Sequence, residues 1–146
     1  SIIKHISFTQ RTSFLYGRDL SAKRHLIYMP PVQFNNTLTV QSGMLKKIEN
    51  IYASLNHVVM LSQYWYPAGI DFIPPPNGYN LFNLYSGITL PLKQQSVSFI
   101  FQIENIFNTA YRDYLNRFRY YADNMGRNFS IKIKYQFSYN SKNQKQ

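Results

Sequence analysis

Along the 146-residue chain the dominant signal is alternation of apolar and polar positions with a period of two. That is the spacing of a strand whose two sides meet different surroundings. It is cleanest near the end of the sequence, where Phe129, Ile131, Ile133, Tyr135 and Phe137 form an unbroken apolar series. Ser130, Lys132, Lys134 and Gln136 lie between them. The segment 96–107 repeats the pattern, with Val97, Phe99, Phe101 and Ile103 on one side and Ser98, Gln102 and Glu104 on the other; Ile100 is the exception. Four weaker strands are expected at 2–16, 32–42, 51–65 and 79–90, and Pro30-Pro31 and Pro74-Pro75-Pro76 break the pattern where loops belong. The chain is therefore expected to be all-β, an antiparallel up-and-down meander of about six strands.

The connections 17–31, 43–50, 66–78, 91–95 and 108–127 run long, short, long, short, long. In a meander this rhythm places all the long loops at one end, as in outer-membrane barrels, which have short periplasmic turns and long external loops. The last two strands, at ~10–12 residues, suit the ~9–11 needed to cross a bilayer better than the ~5–6 usual in soluble sheets. Alternation alone leaves two readings open. A soluble sheet hides its apolar face in a core, whereas a large barrel turns that face to lipid and its polar face to the lumen.

Composition narrows the classes. Aromatic residues make up 17% of the chain, with 13 Tyr and 11 Phe, too many for a disordered segment. A net charge of +10 points to an anionic partner. The absence of Cys removes disulfides and thiolate chemistry. His5, His25 and His57 lie on separate elements, and the six acidic residues are scattered, so neither a metal site nor paired-carboxylate catalysis is expected, and no cofactor. No apolar run approaches the ~18 residues of a membrane helix, and nothing at Ser1 resembles a signal peptide. Segment 111–123 gathers Arg112, Arg117 and Arg119 among Tyr111, Tyr114, Tyr120 and Tyr121. Arginines grip carboxylates and phosphates bidentately, so Arg112, Tyr114, Arg117, Arg119 and Tyr120 are candidate substrate-binding residues. Tyr111, Tyr114, Leu115, Phe118 and Ala122 also have helical spacing, which allows a short helix. A competing reading is a soluble basic β-sheet module for single-stranded nucleic acid, but the positive charge is spread over all segments and the aromatic signature of RNA-recognition sheets is missing.

A family resemblance appears at Glu104–Tyr111, which reads ENIFNTAY. Asn105, Ile106, Phe107, Asn108 and Tyr111 fit a motif near the close of the penultimate strand of TonB-dependent outer-membrane receptors. Segment 127–137 resembles the final strand of that family. Tyr28-Met29-Pro30-Pro31 resembles its Y-I-P-P element, and Pro76-Asn77-Gly78-Tyr79 with Leu81, Asn83 and Leu84 a further one. The overall look is that of receptors from Bacteroidetes. The resemblance implies the last part of a barrel of about 22 strands with a plugged lumen. Residues 1–137 would be its C-terminal segment, lacking the plug and the N-terminal box that contacts the energising complex. It further implies a bacterial outer-membrane receptor that imports a scarce nutrient, such as a ferric siderophore or other iron complex, driven by TonB, and not an enzyme. Its partners would be the remainder of the barrel and plug, the energy-transducing complex, lipid and lipopolysaccharide, and the barrel assembly machinery, with no nucleic acid. Phe99, Phe101, Ile103, Phe129, Ile131, Ile133, Tyr135 and Phe137 would face lipid, with Tyr64, Trp65 and Tyr66 in an interfacial girdle. Gln102, Glu104, Lys132 and Lys134 would face the lumen, since a Lys at the bilayer midplane costs ~2–4 kcal/mol. Family barrels usually end at the terminal aromatic residue; here SYNSKNQKQ follows Phe137, and 138–146 is expected to be a polar, disordered tail.

Overall fold

The computed structural model describes residues 3–43, 48–92 and 95–137; the expected tail at 138–146 lies outside them. Eight strands follow in order: β1 (Ile3–Ser13), β2 (Arg18–Asp19), β3 (Arg24–His25), β4 (Gln33–Ser42), β5 (Glu49–Met60), β6 (Tyr79–Leu92), β7 (Gln95–Glu104) and β8 (Asn128–Phe137). Six of them form one antiparallel sheet in the order β1-β4-β5-β6-β7-β8, so every long strand pairs with the next long strand in sequence. Among the described residues β1 and β8 each pair on one side only, and the sheet is open, not closed into a barrel. β2 and β3 form a small separate hairpin inside the first long connection. The three long connections, 14–32, 61–78 and 105–127, all lie at one end of the sheet, as the meander requires.

The register turns the alternation into rows. Phe8, Leu38, Leu55, Leu84, Ile103 and Phe129 are successive cross-strand partners, an unbroken apolar line over all six strands. One residue along, on the opposite face, Ser7, Thr39, Ser54, Tyr85, Gln102 and Ser130 make an equally continuous polar line. Side chains directly opposite each other in a ladder share a face, so these rows describe two chemically distinct surfaces. The polar rows are hydrogen-bonded sideways: Thr39 to Ser54 at 2.8 Å, Thr89 to Ser98 at 3.0 Å, and Ser130 Oγ to Gln102 Oε1 at 3.1 Å. Gly87 has a local reason on this face: the ring of its partner Tyr52 lies where a Cβ would sit, 2.6 Å away.

Among the described residues nothing covers the apolar face. Phe8 is 67% exposed, Ile131 72% and Phe137 72%, and Tyr114 is the only buried member of the core among the described residues. Full burial of a large apolar side chain is worth ~1.5–3 kcal/mol, so leaving this face in water forfeits on the order of 10 kcal/mol, comparable with a whole domain's net stability.

Strand limits differ from expectation in one informative place. β5 stops at Met60, so Tyr64, Trp65 and Tyr66 sit in the loop and not at a strand end. Gln63 turns the chain there: its Nε2 donates to Met29 O at 2.7 Å and its Oε1 accepts from Trp65 N at 2.9 Å. Trp65 then packs edge-on against Phe14 and Tyr16, with centroids 5.4 and 6.0 Å apart.

Candidate functional site

Two regions carry polar chemistry: the cluster of long loops and the polar face beneath it. The loop after β7 starts with a turn built by asparagines. Asn105 and Asn108 have φ of 51° and 54°, the left-handed region that Asn tolerates better than most residues. Asn105 closes the turn by accepting from Thr109 N at 2.8 Å and donating to Thr109 O at 2.9 Å. Asn108 Oδ1 accepts from Arg127 N at 2.9 Å and ties the two ends of the loop together. A Cβ on Gly126 would lie 2.5 Å from that oxygen, so a larger residue there would displace the Asn108 side chain. Tyr111 then meets Tyr79, the first residue of β6, at a centroid distance of 4.5 Å. The asparagines and tyrosine that carry the family resemblance thus hold the loop in place.

The helical spacing at 111–122 does not produce an α-helix. Asp113 Oδ1 captures Leu115 N at 2.8 Å, a local bond that competes with helix formation, and Asn116, in extended backbone, caps the turn after it by accepting from Phe118 N at 2.9 Å. What remains is one 3-10 turn, Arg117–Tyr120. It is pinned by Arg119, which is 1% exposed and forms an ion pair with Asp71 of the preceding long loop. Arg119 Nη1 also donates to Pro74 O at 3.3 Å, and its guanidinium lies 4.9 and 4.6 Å from the ring centroids of Tyr114 and Tyr120. The Tyr120 hydroxyl donates to the same carboxylate and contacts the Tyr28 hydroxyl of the first long loop at 3.3 Å. All three long loops therefore meet at this cluster. Hydrogen bonds to Asp71 and Tyr28 push the Tyr120 phenol pKa up, and burial does the same for Tyr114.

The five candidate substrate-binding residues are brought together but not equally free. Arg112 Nε bonds Asp123 Oδ1 at 2.6 Å and its Nη1 donates to Arg119 O at 3.0 Å. Arg119 is spent on Asp71, Tyr114 is buried, and Tyr120 is engaged as above. Arg117 is exposed, with no hydrogen-bond or ionic partner among the described residues. It borders a hollow of about 160 Å³ with Tyr28, Tyr114 and Tyr120. Asp71 escaped sequence reasoning because it lies 48 positions from Arg119.

On the sheet, Gln102, Glu104, Lys132 and Lys134 share one face. Phe99, Phe101, Ile103, Phe129, Ile131, Ile133, Tyr135 and Phe137 share the other. Sequence reasoning also missed a transverse chain of asparagines on the polar face. Asn105 N donates to Asn83 Oδ1 at 2.9 Å, and Asn83 Nδ2 to Asn56 Oδ1 at 3.0 Å. Asn56 Nδ2 then donates to Asn35 Oδ1 at 2.7 Å and Thr37 Oγ1 at 2.9 Å. The available signal was an Asn near the middle of each of three predicted strands, where Asn is disfavoured unless its side chain is engaged. Comparison with protein-family models, curated proteins and solved structures finds no match.

Proposed function

We propose that the chain forms six consecutive strands in the wall of a transmembrane β-barrel, the C-terminal part of a TonB-dependent receptor in a bacterial outer membrane. The observation that carries this reading is the apolar row Phe8–Leu38–Leu55–Leu84–Ile103–Phe129, continuous across the sheet, uncovered, and backed by a hydrogen-bonded polar row. Lipid removes the cost of exposing that face, and a water-filled lumen suits its reverse. On β8 the apolar series from Phe129 to Phe137 spans eight residue steps. At ~3.4 Å each and a tilt of ~40°, this covers ~21 Å of membrane normal, near the ~25 Å apolar band of such barrels.

An open sheet edge is not tolerated in lipid, so β1 and β8 require further strands as neighbours. In this reading those strands and a plug come from the rest of the receptor. The transported nutrient, a ferric siderophore or another iron complex, and the energising partner are assigned from the resemblance at Asn105–Tyr111 together with the loop-forming role of those residues. The receptor carrying this chain, produced in a bacterium and fractionated, is expected in the outer membrane, released only by detergent. Its uptake of radiolabelled iron complexes is expected to stop when the energising complex is deleted. Recovery without detergent as a soluble protein that binds heparin would instead support the nucleic-acid module and end the membrane reading.

A further inference from the structure

The asparagine chain has a direction, and its first member fixes it. The Asn105 backbone N–H can only donate, so the Asn83 group that receives it must be the carbonyl oxygen. The Asn83 amide nitrogen therefore points to Asn56 and meets its oxygen, and the Asn56 nitrogen points on toward β4. Asn56 Nδ2 ends on two side-chain acceptors, Asn35 Oδ1 at 2.7 Å and Thr37 Oγ1 at 2.9 Å, with the Asn36 carbonyl more distant at 3.4 Å. With their oxygens engaged, Asn35 keeps its Nδ2 and Thr37 its hydroxyl hydrogen as donors without an acceptor among the described residues. The aligned amides polarise one another along the chain and turn its donor end toward β1.

Arg11 and Thr9 wait at that end. Arg11 stands directly opposite Asn35 and Thr9 directly opposite Thr37 in the β1–β4 register. The four side chains line an open hollow of about 140 Å³, several times the ~30 Å³ of a water molecule, with Thr9 and Arg11 exposed at its rim. The Arg11 guanidinium has no carboxylate partner among the described residues, and no acidic residue lines the hollow. A guanidinium fork, an amide N–H and two hydroxyls whose hydrogens are free converge there, with no acceptor-only group opposing them. That donor set fits a phosphate or carboxylate and disfavours a cation.

We propose that Arg11, Thr9, Asn35 and Thr37 form an oxyanion-binding site on the polar face, preset by the Asn105–Asn83–Asn56 relay. The site is separate from the loop cluster holding Arg112, Arg117 and Arg119. It does not depend on the membrane reading, because the same geometry would bind an anion on a sheet in water. The oxyanion has two possible sources, a free anion or a carboxylate of a protein segment lying on this face.

The test is phenylglyoxal modification of the whole protein, read arginine by arginine by peptide mass spectrometry, with and without inorganic phosphate. Arg127, exposed as Arg11 is, is the reference for a guanidinium without a bound anion, and Arg119, 1% exposed, reports that the fold is intact. Arg11 is expected to react at least ten-fold more slowly than Arg127. Protection that appears only with phosphate assigns a free anion; protection already present without it assigns a protein carboxylate. Asn56→Asp removes the donor that orients Asn35 and Thr37 and is expected to abolish protection of Arg11 while Arg119 stays unmodified. Arg11 reacting as fast as Arg127 with or without phosphate would overturn the site. Undiminished protection in N56D would overturn the role of the relay.

Discussion

At the scale of single residues, the most consequential contact is the one between Asp71 and Arg119, 6% and 1% exposed at their side chains. Removing one partner of a buried pair leaves an uncompensated charge, which costs ~3–5 kcal/mol. Asp71→Asn is therefore expected to release the loops around Arg119, seen as new protease cleavage within 61–78 and 105–127 while the sheet signal in circular dichroism persists. Unchanged cleavage would show that the cluster is not held by this pair. The same carboxylate makes the cluster sensitive to alkali. The folded Tyr120 pKa is raised, first by its hydrogen bond to Asp71. A raised folded pKa means stability that is fully present below the unfolded value of ~10 and is lost as pH climbs through the folded one. On alkaline titration Tyr120→Phe is expected to remove a late-ionising tyrosinate and to leave loop order unchanged at neutral pH. Tyr79, half-buried at the loop end of β6 and bonded to Asp113, ionises late in both proteins. If the number of late-ionising tyrosines is the same in both, Tyr120 is not held by Asp71. None of this was legible in the sequence, since a buried ion pair between two loops leaves no period and no motif. The asparagine chain was hidden for a related reason: Asn35, Asn56 and Asn83 become neighbours only once the register is known.

At the scale of elements, period-two alternation carried most of the information. It located β4, β7 and β8 closely, because the alternation there is nearly unbroken, with Asn36 in β4 and Ile100 in β7 as the exceptions. The end of β5 was misjudged because apolar residues continue past Met60, whereas the Gln63 side chain bends the backbone away. The β2–β3 hairpin was missed because two-residue strands are too short to show a period. The short helix that the spacing at 111–122 allowed is a single 3-10 turn, Arg117–Tyr120, because Asp113 binds a nearby backbone N–H and Asn116 caps only that turn. For β8 the two series of side chains make a direct prediction. Cysteines placed singly at Ile131 and Lys132, in the receptor in its membrane, are expected to differ in reactivity toward a water-soluble maleimide by at least ten-fold, with position 132 the faster. Equal rates would mean that the apolar face meets water, and the membrane reading would fall with it.

At the scale of the whole molecule, the arrangement of loops matters more than any one of them. Three long connections meet at one end through Tyr28, Asp71 and Tyr120, so that end behaves as one assembled surface. If the last strand runs toward the periplasm, as the resemblance implies, this surface faces the cell exterior, where a diffusing anion arrives first. The arginines there then divide by role. Arg119 and Arg112 hold the loops, the first through Asp71 and the second through Asp123 and the Arg119 carbonyl. Among the three, Arg117, exposed beside the hollow formed with Tyr28, Tyr114 and Tyr120, has no hydrogen-bond or ionic partner among the described residues. Arg119→Gln is accordingly expected to lower the amount of receptor at the cell surface. Arg117→Gln is expected to leave abundance normal and to weaken binding of an anionic iron complex several-fold, the loss of one charge-assisted contact at ~1.5–3 kcal/mol being partly offset by water. Ligand binding and surface abundance measured side by side separate the two roles. Normal affinity in R117Q at normal abundance would remove Arg117 from ligand capture and leave the loop cluster with a purely structural function.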